Sequence, residues 1–404
     1  MSSPARSYPF SAAHALDLDP TYEELRGDEP VTRVTLPYGG EAWLATRYED
    51  VRTVLGDPRF SRAATVGQDV PRVRPEVDTS RESILNMDPP EHSRLRKLVA
   101  RAFTARRVEE LRPRAQEIMD GLVAEMVKQG PPVDLVEAVS TPLPVTVICE
   151  LLGVPVGDRD IFRAGADAAL STTSMTPEER VTARDELGAY MAGLVAQRRQ
   201  APTDDLLGAL VVARDEQDRL TEIELIQLSM GVLIAGHETT LNQIGNFTYL
   251  LLTHPDELAG LREHPDHIPA AVEELLRYVP LGAGAGFVRV ATEDIQLGDV
   301  LVRKGESVMP AVQSANRDPN VFDGPEGLVW DRESNPHMGF GHGAHHCLGA
   351  PLARLEARIA LDRLLARFPG LAPADPAAPP RWRPSTRTHG LLELPVTFGK
   401  DPGS

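Results

Sequence analysis

The chain is poor in cysteine, poor in positive charge and without a long apolar run. Cys149 and Cys347 are the only cysteines in 404 residues. Two are too few for a disulfide framework, so reduced thiols and a cytoplasmic setting are expected. Lys and Arg number 42 against 59 Asp and Glu, a formal net charge of −17. A phosphate backbone attracts net positive protein, which argues against nucleic acid as the partner. The most apolar stretch, Met230 to Gly236, is closed by His237 and Glu238 and is far too short to span a bilayer. Met1 to Pro20 holds no apolar run and carries Asp17 and Asp19, so neither a signal peptide nor a membrane anchor is expected there. Repeats and low-complexity tracts are also lacking.

The 35 prolines and 32 glycines sit between segments rather than in one linker, which favours a single large domain over residues 1–404. Val31 to Leu36 and Ala42 to Ala45 flank Tyr38-Gly39-Gly40, a hairpin signal. Val108 to Val127 carries Val108, Leu111, Ala115, Ile118, Leu122 and Met126 at three- and four-residue steps, which predicts a helix. Thr176 before Pro177 reads as an N-cap opening a helix to about Arg199. Thr221-Glu222-Ile223-Glu224 is a capping box for a long helix to about Leu252. Ala270 to Tyr278 and Leu352 to Phe368 are further helices. Val288 to Val290, Ile295 to Leu297, Val300 to Val302 and Leu391 to Phe398 read as strands, with Gly298-Asp299 as a turn. The fold class is mainly α with a smaller β part.

Phe340-Gly341-His342-Gly343-Ala344-His345-His346-Cys347-Leu348-Gly349 is the stretch richest in chemistry. Two glycines flank a turn, a cysteine follows, and a helix begins just after it. The helix dipole and nearby N–H groups favour a thiolate there and suit it to a metal. Small residues on both sides let a flat cofactor approach the backbone. Two other readings stand beside this one. A glycine-rich turn can hold a small structural cysteine. A zinc site could draw on His342, His345, His346 and Cys347, although no second Cys/His pair at the usual spacing accompanies them.

The stretch resembles the F-G-x-G-x-H-x-C-x-G motif of the cytochrome P-450 heme-thiolate monooxygenases. Phe340, Gly341, Gly343, His345, Cys347 and Gly349 match all six fixed positions, a coincidence expected on the order of one time in a million for a chain of this length. Ala235-Gly236-His237-Glu238-Thr239 is similar to the family's distal-helix motif, A/G-G-x-E/D-T. There Gly236 would remove a side chain where a ligand lies against the helix, and an acid beside a hydroxyl can open local hydrogen bonding and hold water. Glu274 and Arg277 form an E-x-x-R on one helix face. With Arg332 they resemble the family's structural ion-pair set, which implies fold integrity around the thiolate loop rather than chemistry. His92 and Arg96, four apart, share a face that in the family meets the heme propionates. Arg289, in Arg289-Val290-Ala291-Thr292-Glu293-Asp294, meets them too, and His345 completes the set. The likeness runs from about Leu36 to the end. It is strongest to actinobacterial enzymes of secondary metabolism, macrolide-tailoring hydroxylases and epoxidases among them.

The resemblance implies a P-450 fold around one heme b, with Cys347 as axial iron ligand, Phe340 and Gly349 in the cofactor-binding motif, and O2 as co-substrate. Glu238 and Thr239 are implied as the catalytic pair that delivers protons. Substrate contacts are implied at Leu233, Ile234, His237, Leu281, Phe287, Val288 and Leu391, within walls formed by Ala63 to Leu85, one face of the long helix, Leu281 to Val288 and the loop Thr388 to Leu392. The walls hold one aromatic, Phe287, and the small-residue run Leu281 to Gly286. That composition suits a bulky, mostly aliphatic small molecule such as a macrolide or polyketide, hydroxylated or epoxidised. A non-hydroxylating oxidation, ring coupling or desaturation, is the alternative. A heme sensor without turnover needs no Glu238–Thr239 pair, and a cysteine hydrolase leaves the propionate residues unexplained. No flavin or iron–sulfur motif is present, so electrons are expected from NAD(P)H through a ferredoxin reductase and a ferredoxin. Between Glu91 and Arg114, eight basic residues stand against three acids, a local excess of five suited to steering an acidic ferredoxin. Arg354 and Arg358 add to it. A monomer is expected, with no nucleic-acid or membrane partner.

Overall fold

The computed structural model describes residues 5–10, 15–73, 75–158, 175–215, 219–282, 287–383 and 388–399. Its regular elements begin with β1 (Arg6–Ser7), α1 (Thr21–Asp28), β2 (Val31–Thr35), β3 (Glu41–Ala45), α2 (Tyr48–Gly56) and β4 (Phe60–Ser61). Helices then dominate: α3 (Glu91–Ala100), α4 (Ala105–Gln129), a short β5 (Val133–Asp134), α5 (Pro142–Leu152), α6 (Pro177–Gln200), α7 (Leu206–Asp215), α8 (Glu222–Thr253), α9 (Pro255–Glu263) and α10 (Ile268–Tyr278). Strands return as β6 (Arg289–Ala291), β7 (Ile295–Leu297), β8 (Val300–Val302) and β9 (Ser307–Pro310), followed by α11 (Val312–Ala315) and α12 (Ala350–Arg367). The chain closes with β10 (Ala372–Pro373), β11 (Arg381–Trp382), β12 (Leu391–Glu393) and β13 (Pro395–Thr397). It divides into two units, Met1–Lys97 with Leu276–Leu348, and Leu98–Leu275 with Gly349–Ser404.

The first unit holds a six-stranded mixed sheet in the order β1-β2-β3-β9-β6-β4. The expected hairpin is its seed: β2 and β3 pair antiparallel, with Val34 opposite Ala42. Glycine is required at the turn, because Gly39 has φ +74° and a Cβ on it would stand 2.1 Å from the Val70 carbonyl oxygen. Strand alternation sends Val34, Ala42 and Leu44 to one core with Tyr8, Tyr22 and Met309. Val31 and Ala45 go to another with Tyr48, Val51, Phe60 and Phe322. Gly298, at φ +54°, makes the turn between β7 and β8 as expected.

The second unit is helical, and α8 is its longest element. The Thr221 hydroxyl accepts from Glu224 N, and the Glu224 carboxylate accepts from Thr221 N, so both halves of the capping box form. The helix packs against α5, α6 and α12, and α12 packs in turn on α4. The expected helices appear within a few residues of their limits, α4 opening three residues earlier behind a Thr104 cap. The stretch expected as one strand, Leu391 to Phe398, instead breaks at Leu394. Leu394 N donates to Asp134 Oδ1 at 2.8 Å and its carbonyl accepts from Leu135 N at 2.9 Å. The chain therefore changes partners there, from β11 to β10 and β5. Among the described residues, no helix is long and apolar enough to cross a membrane.

Candidate active site

The loop 340–349 is fixed by short bonds. Met338 N donates to Asn316 Oδ1 at 2.8 Å, Gly341 N to the Met338 carbonyl at 2.8 Å, and Cys347 N to the Phe340 carbonyl at 2.8 Å. Gly341 and Gly343 have φ of +73° and +71°. At Gly343 a Cβ would also lie 2.5 Å from the Leu55 carbonyl oxygen at the end of α2. Arg96 Nη2 donates to the His346 carbonyl at 2.6 Å and braces the loop from α3. Cys347 is left exposed, whereas Cys149 is buried on α5.

Beside this loop lies a buried cluster of cationic and imidazole side chains. His92, Arg289 and Arg62 are buried, and the His92 and His345 rings stand 4.2 Å apart. Burial, then the neighbouring His92, Arg289 and Arg62, pushes His345 down to about 3, so its imidazole is neutral at pH 7. Burial, then Arg96, also lowers His92. Asp88, the acid nearest the cluster, is engaged by Arg62 N at 2.9 Å and by the Ser61 hydroxyl. Arg289 Nη1 donates to the Phe60 carbonyl at 3.3 Å, but Arg289 Nε and His345 Nε2 are buried with no partner among the described residues. Buried donors without partners are costly, and charge-assisted bonds to carboxylates would satisfy them. An exposed thiol ligand with a carboxylate-seeking cluster beside it fits a heme and its two propionates. Among the described residues no three His, Cys, Asp or Glu side chains converge as metal ligands, so the zinc alternative has no site.

The distal pair lies on α8. The Thr239 hydroxyl donates to the Ala235 carbonyl at 3.1 Å, a back-bond that Ser229 and Thr248 also make on this helix. Glu238 is 1% exposed and accepts from the Thr388 hydroxyl at 2.9 Å. A Cβ at Gly236 would meet Ile148 of α5 at 2.6 Å, so the glycine admits a neighbouring helix.

Wall residues divide by exposure. Leu233 and His237 are 1% and 3% exposed and Leu391 is 2% exposed. The open line of the helix runs through Gly231, Ala235 and Thr239 at steps of four. Ile234, Leu281, Phe287 and Val288 keep exposed surface. Residues 283–286 of the small-residue run lie outside the described residues.

Arg277 is buried and donates to the carbonyls of Asn316 at 2.9 Å, Pro325 at 2.7 Å and Gly327 at 2.9 Å. Arg332 donates to those of Asp323 at 2.5 Å and Gly324 at 3.1 Å. Two guanidinium groups thus hold one loop, and Glu274 is buried on α10. The basic stretch is less bare than its sequence implied. Arg106 and Arg107 pair with Glu110, Arg112 with Glu109, and Arg114 with Glu117 and Glu150. Arg354 and Arg358 both bind Glu273. Lys97 and Arg101 make no ion pair among the described residues.

Arg62, Asn242 and Asn246 stand outside the expected site residues, whereas Thr388 opens the wall segment Thr388 to Leu392. Glu238, Asn242 and Asn246 recur every four residues along α8, a pattern readable in the sequence. No local signal marks Arg62 or Thr388.

The model of the cytochrome P450 family matches residues 38–384. The chain is 52% identical over 397 residues to the mycinamicin IV hydroxylase/epoxidase of Micromonospora griseorubida, covering 98% of this chain and 100% of that protein. It is also 52% identical over 394 residues to the nocardicin C N-oxygenase of Nocardia uniformis subsp. tsuyamanensis, covering 97% and 98%. Among solved structures it is similar to a cytochrome P450, P450mel, with biaryl coupling reactivity. The TM-score is 0.92 at 46% identity, covering 98% of this chain and 100% of that one.

Proposed function

The chain belongs to the cytochrome P450 family, and from that membership we propose that it hydroxylates or epoxidises a bulky, mostly aliphatic macrolide or polyketide. It is a heme-dependent monooxygenase with O2 as co-substrate. The observation that carries the site assignment is the exposed Cys347 on a braced loop beside the buried His92 and Arg289 and the half-buried His345. When bound, the heme supplies the activation of dioxygen and the transfer of one oxygen atom. Cys347, in the loop framed by Phe340 and Gly349, would hold the iron as a thiolate, and His92, Arg96, Arg289 and His345 would hold the propionates. Glu238 carries protons from its buried position. Thr239 donates its hydroxyl hydrogen bond to the Ala235 carbonyl, so its oxygen is available as an acceptor. Ile234, Leu281, Phe287 and Val288 contribute the substrate wall.

The macrolide assignment is supported by the relative that acts on mycinamicin IV at full length, and by walls with a single aromatic. The family implies an external electron donor. We assign it as a ferredoxin, reduced from NAD(P)H by its reductase, with Lys97 and Arg101 among its steering charges. Residues 1–404 act as one domain, as a cytoplasmic monomer. The test is spectral. The purified protein should be red, and its reduced carbon monoxide complex should show the red-shifted Soret band of a thiolate ligand. Mycinamicin IV should shift the resting Soret band, whereas binding of small planar aromatics alone would overturn the substrate class. Thr239→Ala should release peroxide in place of product.

A further inference from the structure

Glu238 is held by a side chain from a segment far away in sequence. Along α8, Glu238, Asn242 and Asn246 lie at steps of four and are all buried, so they form one polar line on one face of the helix. That line meets residues 388–390. Asn242 Nδ2 donates to Thr388 Oγ1 at 2.9 Å, and Asn246 Nδ2 donates to the His389 carbonyl at 2.8 Å. Gly390 lies so close that a Cβ on it would be 1.9 Å from Asn242 Oδ1. These contacts by themselves dock the segment on the helix.

The remaining bond does something different. A hydroxyl has one proton and two lone pairs. Thr388 Oγ1 already accepts from Asn242, and it turns its proton to Glu238 Oε1 at 2.9 Å. The direction of donation is therefore set by the amide behind it, and the carboxyl group receives a bond that fixes its rotation.

We propose that Thr388 is a positioning residue: with Asn242 behind it, its hydroxyl fixes the orientation in which Glu238 hands on protons. This rests on the assignment of Glu238 as a proton carrier. It also makes residues 388–390, which lead directly into Leu391, part of the proton-delivery apparatus rather than a passive strand entry.

The experiment compares Thr388→Val, Thr388→Ser and Glu238→Gln in the heme-loaded protein. Infrared spectra identify the Glu238 carboxyl band by its loss in Glu238→Gln. Thr388→Val keeps the shape and removes the hydroxyl, so the band should move, and Thr388→Ser should return it to its wild-type frequency. In parallel, peroxide release without added substrate is followed against pH while electrons are supplied. Its rate should change about tenfold in Thr388→Val, as expected for one lost bond to a carboxylate, and be restored in Thr388→Ser. Thr388→Val with an unmoved band and an unchanged pH profile overturns the proposal, whatever it does to stability. If Glu238→Gln leaves the profile unchanged, the proton-carrier assignment fails, and the infrared comparison still decides whether Thr388 orients the carboxyl group.

Discussion

Gly236→Ala should destabilise the protein only while Ile148 keeps its full side chain. The added Cβ would lie 2.6 Å from both Cδ1 and Cγ1 of Ile148 and 3.4 Å from its Cβ. Ile148 is fully buried, so it has no solvent to swing into. Overpacking a filled core costs about 1–3 kcal/mol. Alanine in place of glycine within a helix gains about 0.8–1.0 kcal/mol. The net change is a loss of about 0–2 kcal/mol. Ile148→Ala removes the opposing atoms and itself costs about 2–5 kcal/mol. In that background the strain disappears, and Gly236→Ala should stabilise by about 1 kcal/mol. The four proteins of the cycle, compared by urea unfolding in the heme-loaded form, should show a coupling of about 1–3 kcal/mol. Heme affinity is measured alongside. Coupling near zero, with heme binding weakened equally in both backgrounds, would mean that the glycine makes room for a ligand and would refute the reasoning.

Glu356 is fully buried with neither carboxyl oxygen partnered among the described residues, and burial raises it well above its usual 4.5. Its folded form keeps the proton that the unfolded chain releases. Its stabilisation is therefore complete below about pH 4.5 and is lost as pH rises toward the folded value, at up to about 1.4 kcal/mol per pH unit. Glu356→Gln should flatten the fall of stability above about pH 5 by that slope, and identical slopes would contradict a buried neutral acid. Arg62 donates to the Leu85 carbonyl at 3.1 Å, to the Val288 carbonyl and to Asn86 Oδ1 at 2.8 Å, and lies 5.0 Å from the Phe287 ring. Arg62→Gln should cost about 2–4 kcal/mol and speed amide exchange across residues 66–88, with unchanged exchange counting against its role as a clamp. Arg101→Glu should slow reduction by a ferredoxin and weaken its salt dependence. Arg112→Glu should do less because Arg112 is already paired with Glu109, and equal effects would show that local pairing does not matter.

Elements whose causes are local were readable in the sequence. The turn at Gly39, the caps at Thr176 and Thr221 and the glycines of the loop 340–349 each depend on neighbours within a few residues, and they formed where expected. What was hidden depends on distant partners. Leu391 to Phe398 alternates like one strand, but Asp134 and Leu135 break it from over 250 residues away. The motif around Gly236 names the residue, while Ile148 supplies its reason. Leu233 and His237 lie on the expected helix, and the rotation that buries them is set by packing against its neighbours. Thr388 has no local mark at all, and its importance comes from the carboxyl group it touches.

Arg277 and Arg332 hold the loop ahead of Cys347 by hydrogen bonds to the backbone carbonyls of Asn316, Asp323, Gly324, Pro325 and Gly327. Every residue type presents the same carbonyl, so these bonds are indifferent to the side chain at a position such as Asp323. The two arginines have no such freedom, because a lysine cannot spread several donors over separate acceptors in a fixed fork. Variation is thereby concentrated on one partner of each bond. Asp323 becomes a place where a label or a tether can be attached while the frame that carries the thiolate loop stays as it is.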